Sequence, residues 1–597
     1  MSRSTTSLAS ERPGSKEKPV ESSDTPDIEK QALSPTETDG PTLGGPGGGG
    51  PDGEDALYKP KTFKFWSIMF SNFLALFLVA LDRTIIATAI PRITDDFKSL
   101  GDIGWYGSAY MLTTSCSQLV FGRIYKHYNM KWTFLISIVV FEIGSAICGA
   151  APNSQSLIAG RAIAGAASAG IFTGCMMIMI PMVPLHKRPM FQGLFGLVFG
   201  LASVLGPLIG GGFTGSVSWR WCFYINLPIG AVTIVVMVFL WNPPPQKHGS
   251  VPVLTHIKRL DPIGMLFFLP SIVSLLLALQ WGGSTFAWND RRIIALFVVF
   301  AVLICGYAAV QILKPDTATI PPKIITQRSV FFASLFTFFI AGAMLISVSY
   351  LPIWFQTVKL VDPLKSGIYT IPIVLSLVAS SMISGFLTTK IGYYVPAMLV
   401  SPAIMAIGEG LLSTFSQSTP SSKWIAYQFL TGFGLGFGMQ TAGLAMQTVL
   451  PREDVSIGLA INFFAQQLGG AVFVSVGQTI LSNLLVHRLA GVSGLDPAEI
   501  VGSGATELGK VVPPQYMQLV IEAYNYACTR IFLCGLGLTF AALLSAFGVE
   551  WRSIKKGKQG PPGGHGGPGG PAAAKGPAPP EVPGEAKAEP AGLPKKE

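Results

Sequence analysis

The sequence predicts an all-α polytopic membrane protein with about fourteen transmembrane helices. Of its 597 residues, 49% are hydrophobic and only 12% are charged, whereas about 25% of residues are charged in an ordinary soluble protein. The mean hydropathy is +0.49. Apolar runs of about twenty residues, the length that crosses a hydrocarbon core of about 30 Å, recur along the chain. This number of charged residues is too small to cover the surface of a soluble domain. We therefore expect lipid to cover the surface of this protein.

The predicted spans follow one another with mostly short connections. In chain order they cover residues 65–90, 104–121, 132–151, 157–182, 193–213, 223–241, 262–281, 293–313, 328–351, 367–389, 394–415, 424–449, 457–483 and 527–549. An even number of spans places both termini on one side of the membrane. Basic residues concentrate in the even-numbered connections, at Arg123, Lys126, Lys131, Lys187, Arg188, Lys258, Arg259, Lys323, Arg328, Lys390 and Arg452. Because cytoplasmic loops carry the excess of these residues, both termini are predicted to be cytoplasmic.

Both ends of the chain differ in composition from the apolar runs. Residues 1–62 are rich in Ser, Thr, Pro, Gly and acidic residues, and residues 553–597 in Gly, Pro and Ala. Such segments bury too little apolar surface to offset the entropy lost on ordering. We predict disordered cytosolic tails at both ends, and a long outer loop at 484–526.

Charge and cysteine usage exclude several classes of function. The net charge of +10 would suit a nucleic-acid-binding protein, but the basic residues lie in short groups between apolar runs. We therefore expect membrane-protein charge bias and no nucleic-acid partner. The seven cysteines form no CxxC pair, so neither a disulfide framework nor a metal site nor a cofactor is predicted. Without a nucleophile–His pair or a phosphate loop, the sequence predicts a protein that is not an enzyme.

Five ionisable side chains within predicted spans stand out: Asp82, Arg83, Glu142, Arg161 and Glu409. Each costs at least about 2.5–3.5 kcal/mol on insertion scales, so each is a functional candidate. Burial favours a neutral carboxyl and a nearby cation favours the carboxylate, so a group balanced between them can exchange protons near neutral pH. We expect proton handling by Asp82, with Arg161 and Glu142 as further proton-coupling residues.

An alternative remains open for three of these side chains. Asp82 could form a permanent ion pair with Arg161 or Arg83. Arg161 either faces a central cavity, where it would tune Asp82, or lies at its helix end and extends to water. Glu409 either takes part in function or bonds to a neighbouring helix.

Uncharged polar residues are candidates for the substrate cavity. Gln440 and Gln447 lie seven residues apart and so near one face of a helix. Asn462 and Gln466 open the thirteenth span, and Gln118 lies in the second. Buried amides can bond a neutral substrate, but they also join helices, at about 0.6 kcal/mol each.

A segment rich in glycine and proline lies near the end of the fifth span. It reads Gly-Pro-Leu-Ile-Gly-Gly and contains Gly206, Pro207, Gly210 and Gly211. Proline removes a backbone donor and glycine removes side-chain bulk, so helices can bend and pack closely here. We predict a conformational switch at these residues, with close packing alone as the alternative.

Three motifs point to one family. They are Leu-Asp-Arg-Thr-Ile-Ile-Ala-Thr-Ala-Ile-Pro at 81–91, the Gly-Pro-Leu-Ile-Gly-Gly segment at 206–211, and Trp-Arg-Trp-Cys-Phe-Tyr-Ile-Asn-Leu-Pro-Ile-Gly at 219–230. Over roughly residues 65 to 550 the chain thus resembles the fourteen-spanner drug:proton antiporters of the major facilitator superfamily, particularly fungal toxin and multidrug efflux pumps. The first motif has Asp82 at the family's carboxylate position, and the second matches a motif associated with exporters.

The resemblance implies a fold and an activity. Two six-helix bundles, at 63–245 and 321–552, are expected to flank two additional helices at 246–320, with a cavity that opens alternately to each side. The implied activity is proton-coupled efflux of hydrophobic small molecules such as toxins, secondary metabolites or antifungal drugs. Protons, the bilayer and a lipophilic substrate are the expected partners of a monomer in the plasma membrane, with the vacuolar membrane as the alternative. Two other interpretations remain: a vacuolar or siderophore carrier of the same fold, and a non-transporting solute sensor.

Two positions depart from the family pattern. The connection after the second span keeps Gly122 and Arg123, both expected to act in the switch, but has Lys126 where the family has an aspartate. The fourth span keeps Arg161, but Ala164 replaces the usual glutamine. The resemblance therefore leaves open how the cytoplasmic latch closes and what holds the arginine.

Overall fold

The computed structural model describes residues 58–99, 102–243, 259–283, 285–315, 317–490, 492 and 512–555. The predicted tails lie almost entirely outside these residues, as does most of the predicted outer loop. Within the described ranges the chain is mainly helical, with short turns and two isolated β-bridges.

The first part of the chain forms an N-terminal bundle. Its helices are α1 (Phe63–Phe97), α2 (Ile103–His127), α3 (Met130–Ala150), α4 (Ser154–Met182), α5 (Arg188–Ser216), α6 (Trp221–Tyr224) and α7 (Asn226–Leu240). Polar side chains cap several of them: Asn129 accepts from the backbone of Lys131 and Trp132, and Asn153 from that of Ser156. These caps satisfy amides that have no partner inside the helix.

Two helices separate this bundle from a second one. The separating pair is α8 (Pro262–Trp281) and α9 (Arg291–Leu313). The C-terminal bundle contains α10 (Pro322–Ile325), α11 (Arg328–Val358), α12 (Pro363–Tyr369), α13 (Ile371–Ile391), α14 (Val395–Leu412), α15 (Ser421–Gly438), α16 (Thr441–Val449), α17 (Val455–Leu489) and α18 (Met517–Phe547). Apolar side chains such as Val298, Val302 and Leu313 are exposed on α9, as expected of a lipid-facing helix.

Each predicted span coincides with a helix or a pair of short helices. The number of helices that meet a hydropathy standard for crossing the membrane is lower than the number of predicted spans. Twelve helices of the described residues are long and apolar enough to cross a membrane. Helix α2 carries too many polar residues to meet that standard, and α15 and α16 are separated by a break at Met439 and Gln440. The count of fourteen spans stays a prediction.

The two bundles repeat one packing scheme. In the N-terminal bundle α1 packs on α5 and α7, α2 on α4, and α3 on α4 and α7. The C-terminal bundle has the same pairs: α11 with α17 and α18, α13 with α15, and α14 with α15 and α18. Helices α1, α3 and α4 therefore correspond to α11, α14 and α15, as in a parallel structural repeat.

The predicted loop at 484–526 is shorter than expected. Helix α17 continues to Leu489, and α18 begins at Met517 after a 3₁₀ turn at Pro514–Tyr516. Polar residues in these end turns lower the hydropathy without breaking the helices, so an apolar run underestimates their length.

Candidate functional site

The most buried charges of the N-terminal bundle form an ion pair. Arg161 Nη1 on α4 lies 2.5 Å from Asp82 Oδ2 on α1, and the two side chains are only 2% and 1% exposed. Of the two partners that the sequence left open for Asp82, the structure brings Arg161 to it. A charge pair so far from water is stable only with good geometry and further hydrogen bonds.

Arg161 is held by helix α2 as well as by Asp82. Its Nε donates to the backbone oxygen of Tyr106 at 2.9 Å, and its guanidinium carbon lies 4.4 Å from the ring centroid of Tyr110. This position is inside the bundle, not at the water-facing helix end. Ala164 takes no part: it packs so closely against Gly144 of α3 that a Cβ added at Gly144 would meet the backbone nitrogen and the Cβ of Ala164.

Asn226, which sequence reasoning missed, completes the coordination of Asp82. Its Nδ2 lies 3.2 Å from Asp82 Oδ1 and 3.2 Å from Ser145 Oγ of α3. Each carboxylate oxygen of Asp82 therefore has one donor. The available signal was a lone amide at the start of the otherwise apolar helix α7.

Glu142 of α3 lies beside this network but is not bonded to it. The residue is 9% exposed, and neither carboxyl oxygen has a hydrogen-bond partner among the described residues. Its carboxyl group packs against Gly230 of α7, where an added Cβ would overlap it. Glu142 also interacts electrostatically with Asp82. The three predicted proton-coupling residues thus lie in one region, on α1, α3 and α4.

The glycine- and proline-rich segment of α5 packs against α1 immediately after Asp82. A Cβ on Gly206 would clash with Thr84, and one on Gly210 with Thr88. Thr84 also donates to the backbone oxygen of Ala202 of α5 at 3.0 Å. Gly211 differs, because no neighbouring atom lies within 4 Å of its Cβ position.

At one end, which we call the Lys126 end, the bundles are joined by polar contacts. Lys126 Nζ at the end of α2 lies 2.7 Å from Asp454 Oδ1, just before α17. Gly122, one turn earlier, lies where a Cβ would overlap Ala460 of α17. Lys126 therefore takes a carboxylate partner from the opposite bundle.

Arg123 connects this end to the two separating helices. Its Nη2 donates to the backbone oxygens of Arg259 at 2.7 Å and of Thr317 at 3.0 Å. These residues precede α8 and follow α9, respectively. Arg123 thus fixes both ends of the helix pair to α2.

The amide residues predicted to line a cavity are dispersed. Gln118 donates to Thr173 Oγ1 at 2.7 Å within the N-terminal bundle, and Asn462 accepts from Thr337 at 2.7 Å within the other. These two contacts favour the helix-joining alternative.

The remaining three amides lie nearer the junction of the bundles. Arg188 of α5 donates to Gln447 at 3.4 Å, and Gln440 borders a small cavity of about 20 Å³ between α5 and α13. Gln466 is half-buried on α17. Nearby, the rings of Phe172 on α4 and Phe463 on α17 lie 4.4 Å apart, so aromatic side chains meet across the junction.

Comparison with known proteins identifies the fold. The family model described as Major Facilitator Superfamily matches residues 73–474. The chain belongs to the major facilitator superfamily. Among solved structures, the human organic anion transporter MFSD10 matches 80% of this chain and 99% of its own with a TM-score of 0.52 and 13% identity. A double-Trp mutant of XylE matches 82% and 96% with a TM-score of 0.53 and 13% identity. These likenesses support the fold alone.

Curated relatives within the superfamily are efflux pumps of fungi. The MFS-type efflux pump MFS1 of Trichophyton rubrum is 50% identical over 85% of this chain and 98% of its own. The efflux pump aflT of Aspergillus parasiticus is 49% identical over 83% and 97%. The rubrofusarin-specific efflux pump aurT of Gibberella zeae is 46% identical over 83% and 91%. The predicted resemblance to fungal efflux transporters is confirmed, and this chain is an integral membrane transporter of that kind.

Proposed function

We propose that this transporter exports hydrophobic small molecules in exchange for protons, by alternating access between its two bundles. The observation that carries the proposal is the buried Asp82 carboxylate bonded to Arg161 and Asn226. Protonation of Asp82 removes its charge and leaves Arg161 as an uncompensated buried cation. Breaking such a pair costs about 3–5 kcal/mol, so its partners must rearrange when a proton binds.

The contacts of α1 supply a route from that rearrangement to the rest of the bundle. Thr84 and Thr88, two and six residues beyond Asp82 on α1, lie against Gly206 and Gly210 of α5. Helix α5 in turn packs on α13 of the opposite bundle. A movement of α1 therefore reaches the junction of the bundles through α5. This is the role we propose for Gly206, Pro207 and Gly210 of the predicted switch, whereas Gly211, which meets no neighbouring atom within 4 Å, lies outside this contact.

Glu142 is the second proton-accepting group of this mechanism. Its carboxyl lies near Asp82 but has no cation of its own among the described residues. Because Glu142 interacts electrostatically with Asp82, it is placed to receive a proton that leaves Asp82. We propose that it relays protons between Asp82 and water.

A proton gradient is sufficient to drive export. One proton moving through 100 mV supplies about 2.3 kcal/mol, and one pH unit adds about 1.4 kcal/mol. Together these sustain a gradient of several hundredfold for a neutral substrate at one proton per cycle.

The proposed substrate is a lipophilic toxin, drug or secondary metabolite. Several relatives that match most of this chain are named efflux pumps, and one is rubrofusarin-specific by name. We place the substrate where α4 and α17 face each other, beside Phe172, Phe463 and Gln466. Gln440 and Gln447 would contact it after the bundles separate at the Lys126 end.

We assign the Lys126 end to the cytoplasm. The first described residue, Tyr58, lies under Lys187 Nζ at 4.4 Å, and Lys555 near the other end donates to the backbone of Lys390. Both ends of the described part of the chain thus lie beside basic connections, which are cytoplasmic in membrane proteins. We propose a monomer in the plasma membrane with both termini in the cytoplasm. We also propose that its two bundles and the two helices between them have the boundaries that the sequence predicts.

Transport in sealed vesicles tests the proposal. Purified protein in proteoliposomes with an imposed pH gradient is expected to move a lipophilic toxin against its concentration, and a protonophore is expected to abolish this movement. Movement only of a ferric siderophore would support the siderophore carrier instead. Binding without any movement would support a solute sensor.

A further inference from the structure

The C-terminal bundle repeats the Asp82 site with uncharged residues. Ser347 lies as far from the start of α11 as Asp82 lies from the start of α1. Gln428 likewise occupies in α15 the position of Arg161 in α4. Gln428 Nε2 donates to the backbone oxygen of Tyr369 at 2.9 Å, as Arg161 Nε donates to that of Tyr106. The two charged residues of one bundle thus correspond to two neutral residues in the other.

One carboxyl group is retained in this second site. Glu409 lies on α14, which corresponds to the α3 helix that carries Glu142. Its carboxyl packs against Gly535 of α18, just as that of Glu142 packs against Gly230 of α7. Glu409 also reaches Ser347, the counterpart of Asp82.

In the part of the chain that the structure describes, no compensating charge lies beside Glu409. The residue is 0% exposed, Oε1 bonds to the Ser347 hydroxyl, and Oε2 has no partner in the described part of the chain. The neighbouring titratable group is the thiol of Cys534 on α18, and no salt bridge to Glu409 occurs among the described residues. From α15, Thr431 packs against Gly408 beside it. A carboxylate here would be an unpaired buried anion, which is strongly unfavourable.

The hydrogen bonds of Ser347 indicate where the proton lies. Its single hydroxyl hydrogen can be donated once, and its Oγ lies 3.2 Å from the backbone oxygen of Ala343 as well as against Glu409 Oε1. A backbone oxygen only accepts. When Ser347 donates to Ala343, the contact with Glu409 is a hydrogen bond only if Glu409 donates, so only the protonated acid satisfies both contacts.

We propose that Glu409 is a carboxylic acid that keeps its proton throughout the transport cycle and links α14 to α11 through Ser347. Glu409 is then a positioning residue, and the coupling proton is carried by the N-terminal bundle alone. The assignment of the coupling proton to the N-terminal bundle rests on the proton-coupled export proposed above. The protonation of Glu409 in the resting protein is independent of that proposal.

Infrared spectroscopy of the resting protein tests the protonation directly. The spectrum of the native protein in lipid nanodiscs minus that of Glu409→Gln is expected to show the carbonyl band of a protonated carboxylic acid. The band is expected to persist at about pH 8, far above the ordinary titration range of glutamic acid near pH 4. Glu522→Gln, which removes an exposed glutamate of α18, is the matched control and should remove no such band.

A second variant keeps the test decisive if Glu409→Gln does not fold. Ser347→Ala removes the hydrogen-bond partner, so the acid band is expected to shift in frequency and not to disappear. The proposal would be overturned if Glu409→Gln lost no acid band relative to the native protein, that is, if the two spectra were the same in this region. It would also be overturned if the frequency of the band were unchanged in Ser347→Ala.

Transport distinguishes a positioning residue from a second proton carrier. Glu409→Gln retains an N–H donor for Ser347, so the ratio of protons to substrate and the pH profile are expected to match the native ones. A lower proton-to-substrate ratio in a folded Glu409→Gln protein would show that Glu409 carries a coupling proton. Failure of proton coupling in the native protein would instead refute the proposed function and leave the infrared result standing.

Discussion

Lys126 and Asp454 form a 2.7 Å salt bridge between the end of α2 and the turn before α17. The family pattern places an aspartate where this chain has Lys126, and the structure supplies the opposite charge from the other bundle. The pair crosses the junction that must separate when the Lys126 end opens. We propose that this pair acts as a latch of reversed polarity in place of the expected one.

Removing this salt bridge should favour opening of the Lys126 end. Lys126→Ala and Asp454→Ala each remove a pair whose side chains are 23% and 21% exposed, and such pairs contribute about 0.2–1 kcal/mol. We expect distances between spin labels on α2 and α17 to show a larger open population in both variants. The charge-reversed double variant Lys126→Asp with Asp454→Lys should restore the closed population, and its failure to do so would contradict the latch.

Removing one partner of the Asp82–Arg161 ion pair should lower the stability of the protein more than replacing both partners by neutral residues. Asp82→Ser alone leaves Arg161 buried without its partner, and we expect a loss of about 3–5 kcal/mol in stability. Adding Arg161→Gln removes the uncompensated cation and places at both positions the neutral residue types of Ser347 and Gln428, so the double variant should unfold at a higher temperature than the single one. Thermal unfolding in detergent measures both, and proton coupling should be absent from both. A double variant less stable than Asp82→Ser would contradict the structural correspondence of the two bundles.

The stability of the protein should require glycine at position 230, because the Glu142 carboxyl occupies the space that a side chain there would need. A Cβ at position 230 overlaps the Glu142 carboxyl, and overpacking of this kind costs about 1–3 kcal/mol. Gly230→Ala is expected to lower the unfolding temperature, and adding Glu142→Ala should recover most of the loss. Equal losses in the single and double variants would show that Glu142 is not the obstacle.

Two glycines of the same α5 segment should respond differently. Gly210→Ala places a methyl group against Thr88 and is expected to reduce both stability and export. Gly211→Ala meets no neighbouring atom within 4 Å and replaces glycine inside a helix, so it should be neutral or stabilise by about 0.5–1 kcal/mol. Unfolding temperatures and export rates compare the two, and equal behaviour would contradict a packing role specific to Gly210.

The sequence was informative about helices because lipid imposes a length on them. The predicted span 262–281 coincides with α8, whose ends are set by a capping Asp261 and by Gly282. The ends of α17 and α18 were less predictable, since helices that project beyond the bilayer continue with polar residues. Hydropathy records the bilayer thickness and not the helix length.

The candidate site was predictable in its charges but not in all its partners. Asp82 and Arg161 were identifiable because charge in a span is costly. Asn226 and Asp454 were not, because each contacts a residue more than a hundred positions away and neither is unusual in its local sequence. Which amides line a cavity likewise depends on helix rotation, which no single sequence fixes.

Proton movement driven by substrate tests the central claim most directly. Native protein, Asp82→Asn and the matched control Asp95→Asn, an exposed aspartate of the same helix, would be reconstituted and a lipophilic toxin added while vesicle pH is recorded. We expect substrate-dependent proton movement in the native protein and in Asp95→Asn, and none in Asp82→Asn while it still binds the toxin. Proton movement that survives in Asp82→Asn, or export without proton movement in the native protein, would contradict coupling through Asp82.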